Sequence, residues 1–190
     1  LTLSRLVAAM FLIALLTLVF PYSKSLALVV FSVAAITDYF DGYLARTRYG
    51  VTSFGRLMDP LTDKVMVCAA FVSFVELQLV PAWIAVIIIS REFLVTGLRL
   101  LAVSKNIIIP AGKWGKHKTV WQIVAIVVIL LGLAIQNDVL PAFGGDDLLK
   151  SYSIAFHVIS YAVSVGVAII TVTSGTMYFV EHRDLMGRNI

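Results

Sequence analysis

The chain has one cysteine, Cys68, and three histidines in 190 residues. An internal disulfide is excluded, no Cys/His cluster offers a zinc site, and Cys68 reads as a packing residue in an apolar segment. Charge is scarce too: 14% of residues are charged against 60% hydrophobic, and the mean hydropathy is +0.96. A water-soluble domain of this length has too little interior to hide that much apolar surface. Low-complexity stretches and a convincing internal repeat are also lacking, and no connection is long enough for a separate soluble domain.

What is there is a series of long apolar runs. A transmembrane helix needs about 20 mostly apolar residues, and such runs occur at roughly 1–20, 25–46, 55–77, 81–104, 119–136 and 152–180. The sequence therefore predicts an all-α integral membrane protein, a single domain over residues 1–190 with six transmembrane helices. A signal peptide ending near Ser25-Leu26-Ala27 is the competing reading of the first run; because the rest is already a membrane protein, we read it as a span. Leu1 is not a starting Met, so a few native residues are expected before it.

Basic residues set the orientation. With the amino end inside, inner segments hold Arg5, then Arg46, Arg48 and Arg56, then Lys105, Lys113, Lys116 and Lys118, then Arg183 and Arg188. The outer loops hold only Lys24 and Lys150, beside Glu76, Asp138, Asp146 and Asp147. This positive-inside asymmetry predicts that both termini are cytoplasmic. The net charge of +4 then reads as topology and contact with anionic membrane lipids, not as nucleic-acid binding.

Against this apolar background stand four aspartates in a mirror-like arrangement. Asp38 and Asp41 precede a short basic turn, and Asp59 and Asp63 follow it. The midpoint of Asp41 and Asp59 is residue 50, so a reversal near Gly50 brings the two pairs to matching depths on antiparallel helices. The i,i+3 and i,i+4 spacings put both carboxylates of a pair on one helix face. Asp59 alone also reads as an N-cap with Pro60 at the first helical position, but that role is useless for Asp38 and Asp41. Four converging carboxylates repel unless cations sit between them, and all-oxygen ligands select hard cations, Mg²⁺ or Mn²⁺. Two such ions about 3.5–4 Å apart suit an in-line phosphoryl displacement. Gly42, Ala45 and Gly55 leave clearance for a flat ring, and Arg46 has the fork for a phosphate. Together these point to a nucleotide diphosphate.

The run Asp38-x-x-Asp41-Gly42-x-x-Ala45-Arg46, eight residues, Gly55-x-x-x-Asp59-x-x-x-Asp63 resembles the signature of the CDP-alcohol phosphotransferases at every position. The resemblance covers nearly the whole chain and implies six transmembrane helices, cytoplasmic termini and a homodimer. It implies that Asp38, Asp41, Asp59 and Asp63 hold two metal ions, that Asp63 is also the general base, and that Asp38, Gly42, Ala45, Arg46 and Gly55 bind the nucleotide. The acceptor alcohol would attack the phosphorus attached to diacylglycerol, and CMP would leave.

Two further segments bear on the acceptor. Ser90-Arg91-Glu92-Phe93 through Thr96-Gly97-Leu98-Arg99 places Arg91 and Glu92 about halfway along the fourth span, where an unused ion pair is wasteful. Glu92 neutralising Arg91 or Arg99 to lock helices is the bland reading of this segment. Gly112 to Thr119 holds Lys113, Lys116 and Lys118, whose bland reading is a loop anchored at the inner membrane face. The functional reading assigns Arg91, Arg99, Lys116 and Lys118 to the phosphate of a phosphorylated acceptor, since serine or inositol would not need so many cations. Both segments, with Thr2 and Arg5, resemble the bacterial phosphatidylglycerolphosphate synthases of that family. The expectation is therefore transfer of a phosphatidyl group from CDP-diacylglycerol to glycerol 3-phosphate, at the cytoplasmic face of a bacterial cytoplasmic membrane. Rival readings are a sibling enzyme with inositol phosphate or phosphatidylglycerol as acceptor, a divalent-cation transporter and a noncatalytic scaffold. The transporter fits less well, because no acidic residue inside the predicted helices continues the aspartate site outward.

Overall fold

The computed structural model describes the backbone of residues 2–48, 53–104, 113–143 and 145–181, and side-chain surroundings over 4–37, 64–102, 118–143 and 145–181. Among these residues every regular element is helical. The long helices are α1 (Thr2–Thr17), α2 (Ser23–Arg48), α3 (Ser53–Glu76), α4 (Ala82–Ser104) and α5 (Lys113–Ala134). From α5 the chain passes through a π-helical turn, Ile135–Val139, into the short α6 (Leu140–Phe143), and α7 (Asp146–Glu181) follows.

Six rods result, close to the six apolar runs, with two differences at their ends. The lysine-rich segment expected as a loop is helical from Lys113 onward and forms the first turns of α5. Its polar composition hid the helix, because periodicity can be read only where apolar residues mark a face. Likewise α7 begins at Asp146, not near residue 152, with Asp146 and Asp147 in its first turn, where the helix dipole favours negative charge.

The rods close into a ring. α1 packs on α2 and α3, α2 on α5, α5 on α7, α7 on α4, and α4 on α3, while α3 and α5 also touch across the ring. The core between them is built from faces at helical spacing. α1 gives Leu12, Leu15 and Leu16, and α5 gives Ile126, Ile129, Leu130 and Leu133. Phe71 and Phe74 of α3 are fully buried and meet edge to face, with centroids 6.2 Å apart.

The outside is apolar as well: Val7, Met10, Val33, Val86, Leu94 and Ile169 are exposed. Polar side chains lie inside, among them Glu92, Thr96, Lys118, Gln122, Ser164 and Thr171. An apolar exterior over a partly polar interior is the arrangement that a bilayer tolerates. Among the described residues, Lys118–Phe143 and Asp146–Glu181 are long and apolar enough to cross a membrane, and Ser4–Thr17 and Ser23–Thr37 are shorter apolar helices. The aspartate run falls on α2 and α3, and Arg91, Glu92 and Arg99 fall on α4.

The end of the bundle that carries the α1–α2 turn is tied together by side chains. The buried Lys24 ammonium donates to the carbonyls of Leu15 and Leu16, which the end of α1 leaves without helical partners. Asp138, in the π-helical turn, accepts from both the backbone N–H and the hydroxyl of Ser25 at 2.6 Å each. A carboxylate thus sits at the start of α2, joining it to the end of α5.

Candidate active site

The aspartate run falls where two helices approach one short connection. By backbone position Asp38, Asp41 and Arg46 lie in the second half of α2, and Asp59 and Asp63 lie in the first half of α3. Gly42 and Ala45 belong to α2 and Gly55 to α3. The side chains of residues 38–63, and with them the expected meeting of the four carboxylates, lie outside the described side chains. An alternative that the sequence leaves open is decided by the backbone. Because α3 begins at Ser53, Asp59 is not an N-cap and Pro60 does not open the helix; both lie within it. An internal proline donates no backbone N–H, so it cannot serve the carbonyl of Arg56 four residues earlier.

Directly after Asp63 the side chains become visible, and the first of them is part of an ionic cluster. Lys64 Nζ lies 2.7 Å from Glu92 Oε2. Glu92 is 1% exposed, in the middle of α4, and Lys118 of α5, equally buried, pairs with its other oxygen, Oε1. Arg91 Nη1 stands 3.5 Å from Oε1, and Gln122 Nε2 donates to the same oxygen at 3.5 Å. One carboxylate therefore gathers three cationic side chains from α3, α4 and α5. An unpaired carboxylate in such a place would be very costly, so this cluster is a strong constraint on how the three helices meet.

The helix-locking role weighed for Glu92 is present, with Arg91 as expected and with Lys64 and Lys118 in place of Arg99. Lys64 and Lys118 link Glu92 to neighbouring helices, Arg91 comes from its own helix, and Arg99 turns elsewhere. The Arg99 guanidinium lies over the Tyr178 ring of α7, 5.8 Å from its centroid. Arg91 also reaches α7: a Cβ on Gly175 would stand 3.2 Å from Arg91 Cγ. Of the four residues expected at the acceptor phosphate, Arg91 and Lys118 thus share the Glu92 cluster, and Arg99 lies on the same helix beside α7. Lys116 lies in the first turns of α5, and its side chain is outside the described ones.

Lys64, Gln122, Gly175 and Tyr178 were not singled out from the sequence. Lys64 did carry a signal, as a lone cation in an apolar stretch immediately after the signature. Gln122 follows Lys118 by one helical turn on the same face of α5, but nothing in the sequence names Glu92 as its partner. Gly175 and Tyr178 gave no local sign.

Comparison with known proteins agrees with the residue pattern. A profile of the family described as CDP-alcohol phosphatidyltransferase matches residues 1–174. Over 111 residues the chain is 44% identical to the CDP-diacylglycerol–glycerol-3-phosphate 3-phosphatidyltransferase of Bacillus subtilis, covering 58% of each. Its namesake in Mycoplasma pneumoniae is 42% identical over 100 residues, 53% of this chain and 44% of that protein. The one in Rickettsia bellii is 33% identical over 149 residues, 78% of this chain and 82% of that protein. The first two matches span about half of the relatives' length. With the family profile covering nearly all of the sequence and the signature falling on α2 and α3, the chain belongs to the CDP-alcohol phosphatidyltransferase family.

Proposed function

We propose that the chain transfers the phosphatidyl group of CDP-diacylglycerol to glycerol 3-phosphate, giving phosphatidylglycerol phosphate and CMP. The observation that carries the reading is the Lys64–Glu92 pair. Lys64 adjoins Asp63, so the α4 and α5 cations are tied to the helix that bears half of the signature. A donor site and a cationic acceptor site side by side are what this reaction requires. The printed names of the relatives support the choice of substrates.

The donor set fits a hard divalent cation, since Asp38, Asp41, Asp59 and Asp63 offer only oxygen and each pair shares a helix face by register. These residues would hold one or two Mg²⁺ or Mn²⁺ ions, which when bound would supply neutralising charge at the pyrophosphate. On α2, Gly42 and Ala45 would leave room for the nucleotide, Arg46 would take a phosphate through its fork, and Gly55 would give clearance from α3. Asp63 would accept the proton of the acceptor hydroxyl. The hydroxyl oxygen forms a bond to the phosphorus bearing diacylglycerol, the bond from that phosphorus to the bridging oxygen breaks, and CMP departs with the electron pair. Arg91, Arg99, Lys116 and Lys118 would hold the acceptor phosphate, with positioning by charge in place of covalent chemistry.

The same reading makes the chain one transmembrane domain of six spans acting as a homodimer in a bacterial cytoplasmic membrane, with both termini and the site on the cytoplasmic side. The distribution of basic residues supports this orientation. The test is CMP release from purified protein with CDP-diacylglycerol and Mg²⁺. Glycerol 3-phosphate is compared with inositol phosphate, serine and phosphatidylglycerol. Turnover with glycerol 3-phosphate alone is expected; turnover with another acceptor instead would overturn the acceptor assignment and leave the donor site standing.

A further inference from the structure

Arg91 and Arg99 of α4 are drawn toward one short stretch of α7. They are eight residues apart, about 12 Å along a helix axis at 1.5 Å per residue. Their contacts on α7, Gly175 and Tyr178, are three residues apart, about 4.5 Å by the same rise. The Arg91 stem and the Arg99 guanidinium therefore meet adjacent turns of α7, where the two charges act on one another. Both α7 residues are buried and lie on the inward face that also carries Thr171 and Ser174.

Gly175 acts by what it lacks. Arg91 Cγ and Nε lie 3.2 and 3.8 Å from where a Cβ would stand, so any larger residue crowds the Arg91 stem. Tyr178 acts by its ring, whose face attracts the Arg99 guanidinium and holds it at α7. The interaction of the two arginine charges is repulsive by itself. Glu92 lies against Arg91, yet among the described residues no carboxylate pairs with Arg99. The Nε atoms of both arginines are buried without a hydrogen-bond acceptor. A dianionic phosphate, with several acceptor oxygens, would offset the repulsion and occupy the idle donors.

We propose that Gly175 and Tyr178 are positioning residues that gather Arg91 and Arg99 onto the phosphate of the acceptor, so that the end of α7 forms a wall of the acceptor site. This rests on the proposed function. It adds two residues that lie beyond the 1–174 stretch matched by the family profile. Neither would touch the reacting atoms; each works through an arginine.

The test measures kcat and both KM values for purified wild type, Tyr178→Phe, Tyr178→Leu, Gly175→Ala, Arg99→Ala and the Tyr178→Leu/Arg99→Ala double variant. Losing the ring in Tyr178→Leu is expected to raise the glycerol 3-phosphate KM about tenfold, with kcat and the CDP-diacylglycerol KM within about twofold. Tyr178→Phe keeps the ring and should stay near wild type. Gly175→Ala should raise the same KM with the donor KM unmoved, and it stands as an independent arm if Tyr178→Leu fails to fold. If Tyr178 acts through Arg99, the double variant is no worse than Arg99→Ala alone. Equal rises in both KM values, a Phe variant as impaired as the Leu variant, or additive losses in the double variant would each overturn the inference. Wild-type protein that ignores glycerol 3-phosphate removes the proposed function and this inference with it. Wild-type turnover with an unchanged acceptor KM in Tyr178→Leu and Gly175→Ala removes the inference alone.

Discussion

Lys64 Nζ and Glu92 Oε2 are 2.7 Å apart, and this pair joins α3, one residue past Asp63, to the middle of α4. Glu92 is 1% exposed and also meets Lys118 and Arg91. Replacing it by Gln keeps the volume and removes the carboxylate that, among the described residues, Lys64, Arg91 and Lys118 share. Breaking a buried pair on one side costs about 3–5 kcal/mol, so Glu92→Gln should lower the midpoint of thermal unfolding in detergent. A Lys118→Met/Glu92→Gln double variant should recover part of the loss, because Lys118, 1% exposed, is the cation that Glu92→Gln strands in the interior. Strict additivity of the two single losses would show that the pair is not coupled.

Asp41 lies on the same face of α2 as Asp38 by register. Asp41→Asn keeps size and hydrogen-bonding capacity but lowers the charge available to a divalent cation. Turnover should vanish while the protein remains helical and monodisperse by circular dichroism and size exclusion. Chelation of wild type should likewise abolish CMP release, and added Mg²⁺ or Mn²⁺ should restore it. Near-normal activity in Asp41→Asn would sink the metal assignment.

The sequence made some of this legible for physical reasons that can be named. Long apolar runs announced the helices, and the fixed spacing of Asp38, Asp41, Asp59 and Asp63 set their register on α2 and α3 before any coordinates. Other features depend on partners distant in sequence. Lys118 reads as a membrane-edge lysine until α4 brings Glu92 beside it, and Arg99 shows no link to Tyr178, 79 residues later, until α7 packs on α4. The π-helical turn Ile135–Val139 was also hidden, although Gln136-Asn137-Asp138 breaks the apolar run there. Polar residues in such a run look like a helix end, and here the helix continues through them.

Arg91 stands between Glu92 and α7, 3.5 Å from the carboxylate. Arg91→Ala removes a charged donor to the acceptor phosphate, an interaction worth about 1.5–3 kcal/mol. The acceptor KM should rise roughly ten- to hundredfold by that scale, and the donor KM should move much less. An unchanged acceptor KM would refute the role given to this arginine.

Gly132 offers a test of packing away from the site. The Phe156 ring of α7 lies where a Gly132 Cβ would stand, and a Tyr152 ring stacks on Phe156 with 6.0 Å between centroids. Tyr152 also donates to the Gly132 carbonyl at 3.2 Å. Gly132→Ala must displace the Phe156 ring from its stacked position, and overpacking of this kind costs about 1–3 kcal/mol. The thermal midpoint should fall. A companion Phe156→Leu substitution should restore part of it by vacating the space.

Asp138 caps α2 from another helix, and its two bonds to Ser25 can be separated. Ser25→Ala removes the hydroxyl donor but leaves the backbone N–H on Asp138 Oδ2, whereas Asp138→Ala removes both bonds and the carboxylate facing the helix start. Loss of an N-terminal cap costs about 0.5–2 kcal/mol, and the backbone N–H left without a partner adds to the loss in Asp138→Ala. The order of thermal midpoints should therefore be wild type, then Ser25→Ala, then Asp138→Ala. Turnover per folded molecule should be the same in all three, because this cap lies at the end of α2 opposite the signature. If Ser25→Ala were as unstable as Asp138→Ala, the hydroxyl bond alone would account for the link. The carboxylate at the start of α2 would then contribute nothing of its own.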